Sequence, residues 1–173
     1  MLVAPYLDTL LLLLVSAAAI NDMISRRIPN LLLLSGLAAA VCLHALSPQP
    51  GEALLACFNG AVLGLLIFLP LYLCRGMAAG DVKMMATVGA FAGPSGALHI
   101  AVIAWCAGGL MALAIVICRG RLRLALASLG SIVRHASLRL PAMEAESRPS
   151  VGSMPYGVAI AAGTIYFLIS QYS

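Results

Sequence analysis

Long apolar runs separated by short breaks dominate this chain and leave few folds open to it. Val3 to Ile20 is nearly all Leu, Ala and Val. Leu31 to Leu46, Ala53 to Leu73, Val82 to Phe91, Ala97 to Cys118 and Val151 to Ile169 follow, the fourth run being short and ending at Gly93-Pro94. At ~20 residues per crossing, these runs predict about six transmembrane helices. Of the 173 residues, 62% are hydrophobic and 9% charged, where a soluble domain has ~25% charged. A water-soluble fold of this makeup could not cover its own surface, whereas a bilayer accepts apolar side chains on any helix face. The expected fold class is all-α, a polytopic membrane helix bundle forming one domain over residues 1–173.

The breaks give an orientation. Arg26 and Arg27 lie in the first break, Arg75 and Lys83 in the third, and Arg119, Arg121, Arg123, Arg134, Arg139 and Arg148 in the fifth. The alternate breaks, 47–52 and 93–96, hold no Lys or Arg. The positive-inside rule makes the basic side cytoplasmic and puts both termini outside. No positive charge precedes the first run, as a secretory signal would require, so it reads as an uncleaved membrane helix. Within the last break, Leu122, Leu126, Leu129 and Val133 recur at i, i+4, i+7 and i+11. That spacing predicts an amphipathic helix on the cytoplasmic membrane surface, with a loop after it, over 119–150. The basic residues are thus a topological signal. Without interleaved aromatics they do not point to nucleic acid. The five cysteines form no CxxC pair and lie in or beside apolar runs, which points to small buried hydrophobes rather than to zinc or disulfides.

Against this background the aspartates stand out. Asp8 lies near the outer end of the first run and reads as a solvated terminus. Asp22 closes that run and Asp81 opens the short fourth one, both on the cytoplasmic side. A carboxylate at the edge of lipid is costly and marks a functional site by default. Two nearby carboxylic acids suit peptide hydrolysis, one taking a proton from water and the other giving one to the carbonyl oxygen. Each also has a structural reading. Asp22 is spaced to pair with Arg26 one turn later, and Asp81 follows Gly80 as a helix N-cap would. A different function, a small proton-coupled transporter or channel using the pair as a relay, would favour mid-membrane carboxylates and an inverted repeat. The three histidines, His44, His99 and His135, are too scattered to join the pair in a metal site.

The stretch from Asp22 to Ile28-Pro29-Asn30 resembles the D-x-x-x-x-x-I-P-N pattern of type IV prepilin peptidases. Ala78-Ala79-Gly80-Asp81-Val82-Lys83 resembles that family's G-x-G-D-x-K motif, with Ala78 where the family has glycine. Met154-Pro155-Tyr156-Gly157 looks like its P-Y-G motif. The resemblance implies a membrane aspartic endopeptidase that cuts a short basic leader from prepilin or pseudopilin precursors at the cytoplasmic face. The catalytic aspartates would be Asp22 and Asp81, with no metal or other cofactor. Gly80, Lys83, Pro29, Asn30, Pro155, Tyr156 and Gly157 would bind substrate or shape the site. Lacking the CxxC-bearing insert of larger members, the chain looks like the compact, peptidase-only Tad/Flp branch, without methyltransferase activity. Its expected place is the bacterial inner membrane. Position along the helices assigns roles within the pair: Asp22 near a helix C-terminus suits the acid, and Asp81 near a helix N-terminus suits the base.

Overall fold

The computed structural model describes residues 4–74, 76–118 and 156–172. The amphipathic segment expected over 119–150, together with Pro155, lies outside them. All regular structure among the described residues is helical: α1 (Ala4–Ser25), α2 (Asn30–Ala45), α3 (Pro50–Leu73), α4 (Ala79–Cys118) and α5 (Tyr156–Tyr172). Residues up to 107, with α5, belong to one compact unit, and residues 108–118 of α4 belong to a second.

Three of these helices are long and apolar enough to cross a membrane, through Pro5–Ser25, Pro50–Leu73 and Ala79–Ile115. Among the described residues the expected count of six is not reached. The second apolar run makes a helix of only 16 residues, and at 1.5 Å rise that is ~24 Å against a ~30 Å hydrocarbon core. The last run contributes 17 described residues in α5. The fourth and fifth runs are one helical element, broken where Gly93 adopts φ 70 and ψ −179. An ideal Cβ placed on Gly89 would lie 3.3 Å from the Cβ of Ala97. Eight residues of unbroken helix would separate them by ~12 Å, so the chain folds back on itself at Gly93. Glycine alone takes this backbone conformation freely.

The core of the first unit is built from helices that are apolar all round. On α1 the buried positions form one stripe, Leu11, Leu14, Val15 and Ala18, whereas the first half of α4 is buried on most sides, through Val82, Met84, Met85, Val88, Ala90 and Phe91. The opposite faces carry exposed Leu12, Leu13 and Ile20 on α1, and exposed Phe58 and Leu66 on α3. Outward aliphatics of this kind need an apolar solvent, which a bilayer provides. Where α3 meets α4, backbone lies on backbone. A Cβ on Gly60 would overlap the Gly89 carbonyl oxygen, and one on Gly64 would overlap that of Met85. Gly60 and Gly64 form a G-x-x-x-G pair, the spacing that brings membrane helices close.

α1 and α5 run antiparallel and are joined at both ends. Near one end the Tyr172 hydroxyl donates to Asp8 Oδ2 at 2.6 Å. Near the other, the Gly157 N–H donates to Asp22 Oδ2 at 2.9 Å. Asp8 is therefore tied to α5 rather than simply solvated, as the sequence had led us to expect.

Candidate functional site

Both motif aspartates occupy core-facing positions. Asp22 continues the α1 stripe four residues beyond Ala18, and Asp81 opens the buried first half of α4 beside Val82. They are 6% and 4% exposed, as deeply placed as the surrounding aliphatics. A buried carboxylate is costly unless hydrogen-bonded, and each has a backbone donor. Asp22 accepts from Gly157. Asp81 accepts from the Ala78 N–H at 3.3 Å, while its own N–H donates to the Ala78 carbonyl at 3.2 Å. Asp81 is thus the third residue of α4 and closes a reciprocal capping arrangement on Ala78. The N-cap role considered for it belongs to Ala78.

The two carboxyl groups line one cleft of about 290 Å³. Its wall is completed by Arg26, Arg27, Ile28 and Asn30 from the α1–α2 turn, and by Ala78, Ala79, Gly80 and Lys83 from the start of α4. The two carboxyl groups interact electrostatically across it. The cleft is therefore assembled from the first two sequence motifs. α5 closes behind it with the third: Tyr156 packs its ring edge-on against the buried Phe68, centroids 5.9 Å apart, and Phe68 in turn meets Trp105.

The turn that carries the first motif is tight. α1 ends at Ser25, and Arg26 takes φ 52, the left-handed conformation that commonly ends a helix. For a residue with a Cβ this costs about 1–2 kcal/mol. Its N–H still reaches the Asp22 carbonyl at 3.0 Å, and its guanidinium acts electrostatically on the Asp22 carboxylate. Pro29 is the N-cap of α2 with φ −62 and makes no side-chain cap bond. Asn30 is the first residue of α2, and its Oδ1 accepts from Lys83 Nζ at 3.1 Å. Lys83 thereby ties the second motif to the first.

The glycines of the site differ in what they do. A Cβ on Gly80 would lie 3.5 Å from Ile28, an ordinary contact, so packing within the chain does not demand glycine there. Gly157 is different, because a Cβ there would stand 2.9 Å from Asp22 Oδ2 and 3.2 Å from the Asp22 Cβ. A methyl at 157 would press on the Asp22 side chain and move its carboxylate relative to this amide. The sequence motif marked Gly157 as wall-shaping, but nothing in one sequence shows a contact spanning 135 positions. Ala78 has no positive φ, so alanine sits without backbone strain where the family motif carries glycine.

The candidate site is thus a pair of buried carboxyl groups lining one cleft at the ends of apolar helices. Comparison with protein families matches residues 9–113 to the Type IV leader peptidase family. The match covers more than half of the chain and includes both aspartates, and the chain belongs to this family of membrane-bound peptidases. Tyr156 and Gly157 lie beyond the matched segment. No curated protein and no solved structure matches the chain.

Proposed function

We propose that this peptidase is an aspartic endopeptidase that cuts the short basic leader from type IV, Tad/Flp-like prepilins. The single observation behind this reading is the shared cleft: two buried aspartates, from helices far apart in sequence, line it together. One carboxylate takes a proton from water as the oxygen attacks the scissile carbonyl, and the other carboxyl gives its proton to the carbonyl oxygen. Gly80 leaves the cleft wall open for a substrate backbone, since its own neighbours do not need the space. The charge pattern of the breaks supports an inner-membrane protein with both termini outside and the cleft at the cytoplasmic face. The substrate is then a precursor with its leader in the cytoplasm and its apolar stem in lipid. Without the CxxC-bearing insert, the chain would act as a peptidase only, with no methyl transfer. The test is the purified full chain mixed with a Flp-type prepilin and scored by mass spectrometry. Cleavage at the leader junction by the wild type, abolished in Asp22→Asn and Asp81→Asn, is the expected result. Wild-type cleavage by either variant overturns the reading.

A further inference from the structure

We infer that the backbone N–H of Gly157 positions Asp22 as the ionised member of the pair, the general base, and leaves Asp81 as the acid. This rests on the aspartic reading above and reverses the roles that helix positions alone assign. Asp22 does stand in the last turn of α1, but its carboxylate is bonded to the first turn of α5. First-turn amides have no partner within their own helix and form its positive end. A 2.9 Å bond from such an amide to a buried oxygen favours the charged form of the acceptor. Arg26, on the same turn, adds a positive charge.

Asp81 is held differently. Its one backbone donor, Ala78, is longer at 3.3 Å. It faces the Asp22 carboxyl across the cleft, and the nearby Tyr156 contributes a neutral phenol. Lys83 directs its ammonium to Asn30. Arg27 completes the charged groups of the cleft. With one proton between the two acids, the negative charge rests on Asp22.

The cycle then balances. Asp22 removes a proton from water as its oxygen bonds to the carbonyl carbon, and Asp81 gives its proton to the carbonyl oxygen. On collapse the C–N bond breaks, Asp22 returns its proton to the leaving amine, and Asp81 recovers one from the tetrahedral intermediate. Gly157 touches no reacting atom; it is a positioning residue.

The experiment measures kcat, KM and the pH dependence of kcat on the full chain in detergent, with a Flp-type prepilin as substrate. Two variants are compared: Gly157→Ala, and a backbone ester at position 157 that removes the N–H without adding bulk. Losing the donor makes Asp22 hold its proton to higher pH, so the ascending limb of the profile should move up by roughly one pH unit. kcat should fall roughly tenfold or more at neutral pH, with KM within about threefold. Gly163→Ala is the control on the same helix. A Cβ there would lie 3.0 Å from the Ile100 carbonyl oxygen, well away from the aspartates, and it should lower thermal stability without moving the limb. If Gly157→Ala does not fold, the ester variant decides. An unmoved limb in a folded ester variant, or an equal movement in Gly163→Ala, overturns the inference. Wild-type cleavage by Asp22→Asn would instead overturn the aspartic reading itself.

Discussion

Lys83 Nζ donates to Asn30 Oδ1 at 3.1 Å, and this one bond joins the two motifs that build the cleft. Asn30 is the first residue of α2, and Lys83 stands two residues after Asp81 on α4. The bond links the start of one helix to the start of the other at the wall of the cleft that Asp22 and Asp81 line. Lys83→Met and Asn30→Ala should each lower kcat/KM by roughly threefold to tenfold, the range of a typical net hydrogen bond at about 0.5–1.5 kcal/mol. Because both variants remove the same contact, the double variant should lose little more than either single one. Fully additive losses in a double-mutant cycle would show that the contact does not matter for activity.

The shared cleft also sets the pH behaviour. One carboxyl must be ionised and the other protonated for the pair to work, so kcat should rise and then fall with pH. The two limbs belong to the pair rather than to either residue. Asp22→Asn and Asp81→Asn should each cost roughly 10²–10⁴-fold in kcat while leaving the helical circular dichroism intact. A flat profile across the acid and neutral range would contradict a two-carboxyl mechanism.

Much of the site was legible in the sequence because charge is so rare there. In a chain that is almost wholly apolar, Asp22, Asp81 and Lys83 announce themselves, and the structure brings all three to one cleft. The buried faces were not legible, for the same reason. Leu11 and Leu12 are neighbours of one residue type, yet one is in the core and the other outside. A helix that is hydrophobic all round has no amphipathic signal to separate its lipid face from its protein face. Span counting failed on length: among the described residues α2 and α5, at 16 and 17 residues, are too short to count as crossings. The Asp22–Gly157 and Asn30–Lys83 bonds were hidden by distance along the chain.

The Gly60–Gly89 contact predicts where the fold is least tolerant. Each glycine would place a Cβ onto the other's carbonyl oxygen, so there is no flexible side chain to give way and a methyl must push α3 from α4. Gly60→Ala should destabilise the protein by about 1–3 kcal/mol. Gly51→Ala, at a position where a Cβ meets nothing within 4 Å, should change stability little. Thermal unfolding of both variants in detergent checks the difference, and equal midpoints would contradict the close packing described here.

The turn at Gly93 carries the last prediction. In an unbroken helix the Ala90 carbonyl would accept from the N–H four residues on, but that residue is Pro94, which has none. His44, near the end of α2, fills the gap by donating Nε2–H to the Ala90 oxygen at 3.1 Å. A carbonyl can only accept, so the ring must carry its proton on Nε2, and the tautomer follows from the partner. His44→Phe keeps the ring and removes the donor, leaving a partly buried carbonyl unpaired at a cost of about 1–3 kcal/mol. His44→Gln retains an N–H donor and should recover part of that loss. Asp81 lies nine residues, or ~13 Å of helix, from Ala90, so kcat of the folded His44→Phe protein should stay within about threefold of wild type. A His44→Phe variant as stable as wild type would mean that the Ala90 carbonyl finds another partner when the imidazole is gone.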